Sequence, residues 1–315
     1  MRIRATTFAL SGVLALSALS ALSAPAAQAA QAAAGSSRSP AGLAELVRAH
    51  QGTAGRSAYT GATAADAGDP YPLDLSFSDV RINKGRPIVA GTTTHGTFPV
   101  TYKVTHGADV DIHADDFLMD VEIYRGAGID DPANELFGVD WPTCTDTSAT
   151  TADCRGTIDV YADTQLHNAD ATTWKAFGFA LALNGQDPSG DDWSKIGAAE
   201  QDGLATTRLQ RLSKLTVNAA PEPVRKGRTV TVTGKLSRAG WDDGHYHGYA
   251  DQSVRLQFRK KTSSTYTNVK GIRSSSTGAL RTTTTATVDG YYRFSFVGTT
   301  TTPAVDATGD YVDVR

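Results

Sequence analysis

From Tyr71 onward, apolar residues recur every second position and almost nowhere with the period of a helix. Leu73, Leu75 and Phe77 alternate with polar neighbours, and so do Val100, Tyr102 and Val104. Phe117, Met119, Val121 and Ile123 follow the same rule, as do Ile158 and Val160. Phe177, Phe179, Leu181 and Leu183 make the most hydrophobic run. Successive side chains of a strand point to opposite faces, so this alternation predicts strands with one face buried. Asn83-Lys-Gly85, Arg125-Gly-Ala-Gly128 and Asn184-Gly185 supply the turns. No segment holds a helical period over ten residues; Gly197 to Leu204 comes nearest.

A second series of strands fills the C-terminal part. It comprises Leu215–Val217, Thr229–Thr233, Ser253–Phe258, Tyr266–Ile272, Leu280–Val288, Tyr291–Phe296 and Tyr311–Val314. Seven short strands in about 100 residues, spaced by turns, describe a β-sandwich. The boundary between the two series falls near Leu212–Lys214.

The N-terminus has a different character. Arg2 and Arg4 precede an apolar run from Phe8 to Leu22, and Ala27-Gln28-Ala29 follows among small residues. A basic start, a short apolar segment and an A-x-A site are the parts of a secretory signal peptide, with the cut near Ala29. A membrane span needs about 20 apolar residues, and this run is shorter and diluted by alanine and serine. The mature chain is therefore expected to be extracellular, without a transmembrane segment. Residues 30–69 are rich in small residues and poor in large apolar ones, too poor to offset chain entropy, and predict a flexible tail.

Two cysteines, Cys144 and Cys154, bracket a Thr/Ser/Asp-rich segment. In an oxidising compartment such a pair forms a disulfide pinning a loop, whereas a metal or redox pair needs closer spacing or further ligands. Loop-closure entropy assigns a ring of this size about 2.5–3 kcal/mol, less any strain. Charge divides unevenly. Residues 31–215 carry 14 Lys/Arg against 25 Asp/Glu, a net of −11, and residues 216–315 carry 14 against 8, a net of +6. Such asymmetry favours docking between halves or between molecules, or onto an anionic polymer. Solvation of an exposed β surface accounts for it as well. The basic residues alternate with apolar ones along strands, as in Val254-Arg255-Leu256-Gln257-Phe258-Arg259, without the exposed aromatics of a nucleic-acid platform.

Lys214-Leu-Thr-Val-Asn-Ala-Ala-Pro-Glu-Pro-Val-Arg-Lys-Gly227, running into Thr229–Leu236, and Asp289-Gly-Tyr-Tyr-Arg-Phe-Ser-Phe296 resemble the C-terminal immunoglobulin-like module of secreted actinomycete two-domain proteins. Gly248-Tyr249-Ala250, Val254–Lys260 and Gly309–Val314 fit the same module. Gly290 would permit a turn while Tyr292, Phe294 and Phe296 face the core. The resemblance is strongest over 214–315 and looser over 71–213, where the cysteine segment and Thr173-Trp174-Lys175 carry it. It implies a protein often without an assigned activity and in some members labelled calcium-binding; it brings no catalytic residue. The expected fold is all-β, with two tandem immunoglobulin-like β-sandwich domains after a signal peptide and flexible tail. The expected bounds are 1–29 for the signal, 30–69 for the tail, 70–213 for an acidic sandwich and 214–315 for a basic one.

Three constellations could carry chemistry. Asp109, Asp111, Asp115, Asp116 and Asp120 form the densest acidic cluster, and calcium takes six to eight oxygens. His113 and Ala114 stand where an EF-hand loop needs an acid or amide and a glycine, so any calcium site would lie between loops, helped by Asp130 and Asp131. The alternative is a solvated acidic edge that discourages strand pairing. Asp187-Pro-Ser-Gly-Asp-Asp192 reads as a turn first. His245 and His247, with Asp243, could offer zinc three ligands, but Trp241-Asp-Asp-Gly-His-Tyr-His-Gly reads equally as a loop at a sandwich end. In that loop Trp241, Tyr246 and Tyr249 could stack on a sugar ring.

No Gly-x-Ser-x-Gly, no His-Glu-x-x-His and no phosphate-binding glycine loop is present. The chain is therefore expected to be no enzyme and to use no nucleotide. The first reading is a secreted, non-catalytic binding or structural protein whose partner is a cell-wall or extracellular polymer or a protein, with nucleic acid disfavoured. The second is a calcium-binding extracellular protein. A carbohydrate-binding module and, last, a hydrolase with carboxylates meeting in a cleft complete the set; no cofactor other than calcium is expected.

Overall fold

The computed structural model describes residues 68–190 and 192–315. The expected signal peptide, and the tail except for its last two residues, lie outside the described residues. Among the described residues no helix is long and apolar enough to cross a membrane.

The first series of strands is β1 (Tyr71–Pro72), β2 (Leu75–Ile82), β3 (Ile88–Ala90), β4 (His95–His106), β5 (Phe117–Gly126), β6 (Pro132–Leu136), β7 (Thr143–Ser148), β8 (Thr151–Tyr161), β9 (Thr173–Ala182), β10 (Gly197–Gln201) and β11 (Thr206–Arg211). One sheet runs β2-β4-β8-β7, and the facing sheet places β9 between β5 and the β10–β11 pair, with β6 outside β5. β3 crosses over to lie parallel to β11, and β1 lies parallel to β10. In chain order β2, β4, β5, β6, β7, β8, β9 and β10–β11 thus occupy the places of strands A, B, C, C′, D, E, F and G of an immunoglobulin domain.

The second series is β12 (Ser213–Leu215), β13 (Asn218–Ala220), β14 (Thr229–Ala239), β15 (Tyr246–Gly248), β16 (Ser253–Lys260), β17 (Thr267–Arg273), β18 (Ala279–Thr285), β19 (Gly290–Phe296), β20 (Val305–Asp306) and β21 (Asp310–Val312). Here β14 sits between β18 and the β12–β13 pair, and the facing sheet runs β17-β16-β19 with β20 and β21 beyond. This is the same fold with the D strand absent. The chain is all-β, built of tandem immunoglobulin-like sandwiches.

Alternation explains the cores. Phe77, Val100, Tyr102, Val104, Met119, Val121, Ile123, Ile158 and Val160 all face inward in the first sandwich. Val230, Val232, Leu256, Tyr292, Phe294 and Phe296 do so in the second. Each of these Val, Leu, Ile, Met and Phe side chains contributes roughly 1.5–3 kcal/mol on full burial.

Several local expectations are corrected. The most hydrophobic strand, β9, does not turn its large residues to the inter-sheet core. Phe177, Phe179 and Leu181 face outward, beneath a lid of Trp193 and Ile196. Its small residues, Ala176 and Ala180, point inward instead, and a Cβ on Gly178 would press within 3.0 Å of the Phe77 ring. Both faces of β9 are therefore buried. The Gly197–Leu204 segment opens with a strand, β10, because its N–H and C=O groups complete the ladder beside β9. Gly290 is no turn residue. It lies in β19, where a Cβ would meet the Phe258 ring and the Arg259 carbonyl at 2.4 and 2.3 Å, so glycine is required by close approach.

Candidate functional site

Cys144 and Cys154 stand directly opposite one another on β7 and β8 and are joined by a disulfide. The segment between them is not a loop, as the sequence suggested, but a β-hairpin. Cys154 faces the core, so the bond ties the outermost strand of its sheet to buried structure.

The acidic loop 107–116 joins β4 to β5 and meets the 183–196 loop: Leu183 N–H donates to the Asp116 carbonyl, and Gly185 N–H donates to Asp116 Oδ2 at 2.7 Å. Asp111 Oδ1 accepts the His113 N–H at 2.9 Å, and His113 pairs with Asp146 across to β7 at 2.8 Å. Asp109 turns the other way, toward Asp74, the two carboxylates flanking Gly107. Asp115 is exposed.

The five aspartates proposed for calcium are not gathered. Among the described residues no group of three or more His, Cys, Asp or Glu is placed to hold a metal ion. Asp130 and Asp131 sit beyond the far end of β5, a ten-residue strand that separates them from Asp116 by about 30 Å. Asp120 is only 1 % exposed. Its Oδ1 accepts the Val121 N–H at 2.7 Å, while its Oδ2 and the Tyr102 hydroxyl are buried without a hydrogen-bond partner. Burial pushes the Asp120 carboxyl well above the usual carboxylate range, the Val121 N–H opposing and the Asp159 charge reinforcing. Burial, followed by the Asp120 charge, raises the Tyr102 phenol likewise. Beside this region Ile112, Phe117, Met119, Trp141 and Pro142 line a recess of about 260 Å³.

The side chains of the 240–249 loop turn to partners within the loop and in the first sandwich. Asp243 Oδ2 lies 2.6 Å from His247 Nε2, while His245 Nδ1 lies 2.5 Å from the Asp243 carbonyl rather than from its carboxylate. Asp242 leaves them altogether. It accepts from the backbone N–H of Asn168 at 3.0 Å and from the Asn168 side-chain amide, and it pairs with His167 at 3.3 Å. Trp241 is 4 % exposed and joins the core of the first sandwich. Its indole N–H points at the carbonyls of Ala90 and Gly91, 3.2 and 3.1 Å away. Lys214 Nζ sits 3.6 Å from the centre of the Tyr246 ring, and the Arg238 guanidinium 4.0 Å from that of Tyr249. The aromatic faces that sugar stacking would need are thus buried or covered by cations.

These contacts belong to a joint at the short connection near Leu212–Lys214, whose partners the sequence did not reveal. Arg211 N–H donates to Thr301 O, Leu212 N–H to Ala90 O and Ala239 N–H to Leu212 O. Gln210 Nε2 reaches the carbonyls of Thr299 and Thr300, Ser213 Oγ donates to Pro303 O, and Arg211 Nε donates to Ala239 O at 2.5 Å. Behind Asn168, Asp170 is fully buried and accepts from Arg125 Nε, Asn134 Nδ2 and His167 N–H at 2.7–2.8 Å, which fixes the loop that grips Asp242. The short connection near Leu212–Lys214 signals a close joint, but the tryptophan beside two aspartates in a Gly-rich loop reads equally as an exposed tip.

No protein-family model matches the chain, and no curated protein matches it. Among solved structures it is similar to the full ectodomain of mouse nectin-like molecule 4, at 13 % identity and a TM-score of 0.21, covering 77 % of this chain and 65 % of that one. It is similar to the Yersinia pseudotuberculosis adhesin InvE at 10 % identity and a TM-score of 0.23, over 76 % and 60 %. The D00-D0 domain of intimin matches at 13 % identity and a TM-score of 0.22, over 76 % and 98 %. The chain thus spans less than two thirds of the first two.

Proposed function

We propose that this chain is a secreted, non-catalytic binding or structural protein of the cell envelope or extracellular space, in which the two sandwiches act as one mechanical unit. The observation that carries this reading is the joint. Trp241 is seated as a peg in the core of the neighbouring sandwich, and backbone groups of 210–213 bond to both sides of it. Orienting two modules this firmly serves a protein that presents surfaces at a fixed spacing. Asp111 and Asp116 accept backbone N–H groups of neighbouring turns, and Asp242 is taken up by the joint.

Export rests on the basic start, apolar run and A-x-A site of residues 1–29. N-terminal sequencing of the protein recovered from culture medium of the producing cells should begin at residue 30. Recovery of the uncut chain from the cytosol alone would sink the extracellular half of the proposal.

A further inference from the structure

The strands separate two oppositely charged surfaces. β4 carries the chain from the region of the joint to the 107–116 loop, a twelve-residue strand of about 35–40 Å. β14 carries it from the 221–228 turn to Ala239 in the joint, eleven residues and about 35 Å. The acidic loops and that turn therefore lie at the two far ends, each a strand length from the joint.

The 221–228 end is basic. Lys226 N–H bonds to the Arg315 carbonyl, Val224 N–H to Asp313 O and Gly227 N–H to Ala286 O, which gathers the turn, the C-terminal residues and the β18–β19 connection. Pro221, Pro223 and Val224 floor a cleft of about 450 Å³, with Arg225 and Arg228 on its wall. Arg225, Lys226 and Arg228 are exposed, as is Lys260 nearby, and among the described residues none of the four has an acidic partner. Three carboxylates temper the charge here: Glu222 is exposed in the turn itself, Lys261 lies 4.0 Å from Asp289, and Arg315 pairs with Asp313 at 2.9 Å. At the opposite end Asp109, Asp111, Asp115 and Asp116 are met by no Lys or Arg among the described residues.

We infer that the Pro221–Arg228 cleft receives the Asp109–Asp116 loop of a second copy of this chain. Within one molecule each surface lies a strand length from the joint and on a different sandwich. Between molecules Arg225 and Arg228 would meet the carboxylates of the loop at the mouth of the cleft. The contact joins unlike surfaces, so each pairing leaves one free head and one free foot, and copies add end to end rather than closing a dimer. The inference stands apart from where the protein works, since it depends only on these two surfaces.

Sedimentation velocity of the full-length chain over a concentration series tests it. At ~0.01 M salt, where the Debye length is about 30 Å, the average mass should climb with concentration past twice that of the monomer; at ~1 M, where it is about 3 Å, it should return to monomer. The R225E/R228E variant and the D109K/D111K variant should each stay monomeric at low salt. An equimolar mixture of the two should associate, because the unchanged acidic loop of the first variant fits the unchanged cleft of the second and the reversed loop fits the reversed cleft. A third variant carrying all four changes should recover the association, which excludes misfolding as the cause of its loss. A wild-type chain monomeric at every salt overturns the inference, as does association that survives R225E/R228E. A monomeric wild type retained on immobilised poly-glutamate through Arg225 and Arg228 also overturns it, and assigns the cleft to another acidic partner.

Discussion

Asp120 shows how a single residue can carry opposite meanings in sequence and in space. Among its acidic neighbours it reads as a ligand, yet it is buried on β5 and its carboxyl is pushed up by burial. The folded state therefore holds its proton more tightly than the unfolded chain does. Stability from this group is fully present below the unfolded pKa of about 3.9 and declines as pH rises toward the raised folded value. Asp120→Asn removes the charged form, so its melting temperature should gain on the native protein as pH goes from 4 to 8. Parallel melting curves across that range would contradict the assignment. Trp241 is the converse case: three neighbouring aromatics suggest a binding platform, but an indole N–H beside two carbonyls and an apolar ring find better partners in the adjacent core.

At the level of the element, the disulfide is a cross-strand tie on the β7–β8 hairpin. β7 is otherwise bonded to β8 alone and is exposed along most of its length. Cys144→Ala/Cys154→Ala should cost up to about 2.5–3 kcal/mol in denaturant unfolding. Amide exchange should quicken first in Thr143–Ser148, the strand the bond retains. Uniform loss of protection across both sandwiches would mean that the hairpin is not an independent edge. β9 carries a related lesson. Its alternation identified a strand, but alternation is symmetric, and only the Trp193–Ile196 lid determines that the phenylalanines face outward while Ala176, Gly178 and Ala180 admit Phe77.

For the whole molecule, the joint decides whether two sandwiches unfold as one. Removing a buried tryptophan costs about 3–5 kcal/mol through lost burial and the cavity left behind. Trp241→Ala should therefore lower stability by that amount and split a single calorimetric transition of the full-length chain into two. A variant that still melts in one step near the native temperature would show that the backbone contacts of 210–213 suffice without the peg. The charge separation is a property at this scale too. The sequence already shows a net of −11 followed by +6, but nothing in it tells which residues of each half stand at an end.

The sequence by itself determined the strands, the sandwich class and the cysteine pair, because period-two alternation and turn residues are local and each strand carries its own record. Tyr292, Phe294 and Phe296 could be placed in a core from their spacing alone. Only the tertiary structure decided the faces of β9, the burial of Asp120, the scattering of the five aspartates and the seating of Trp241 in its neighbour's core. Those depend on what packs against a residue from a distant part of the chain, and such a partner leaves no mark on the residue's own neighbours in sequence.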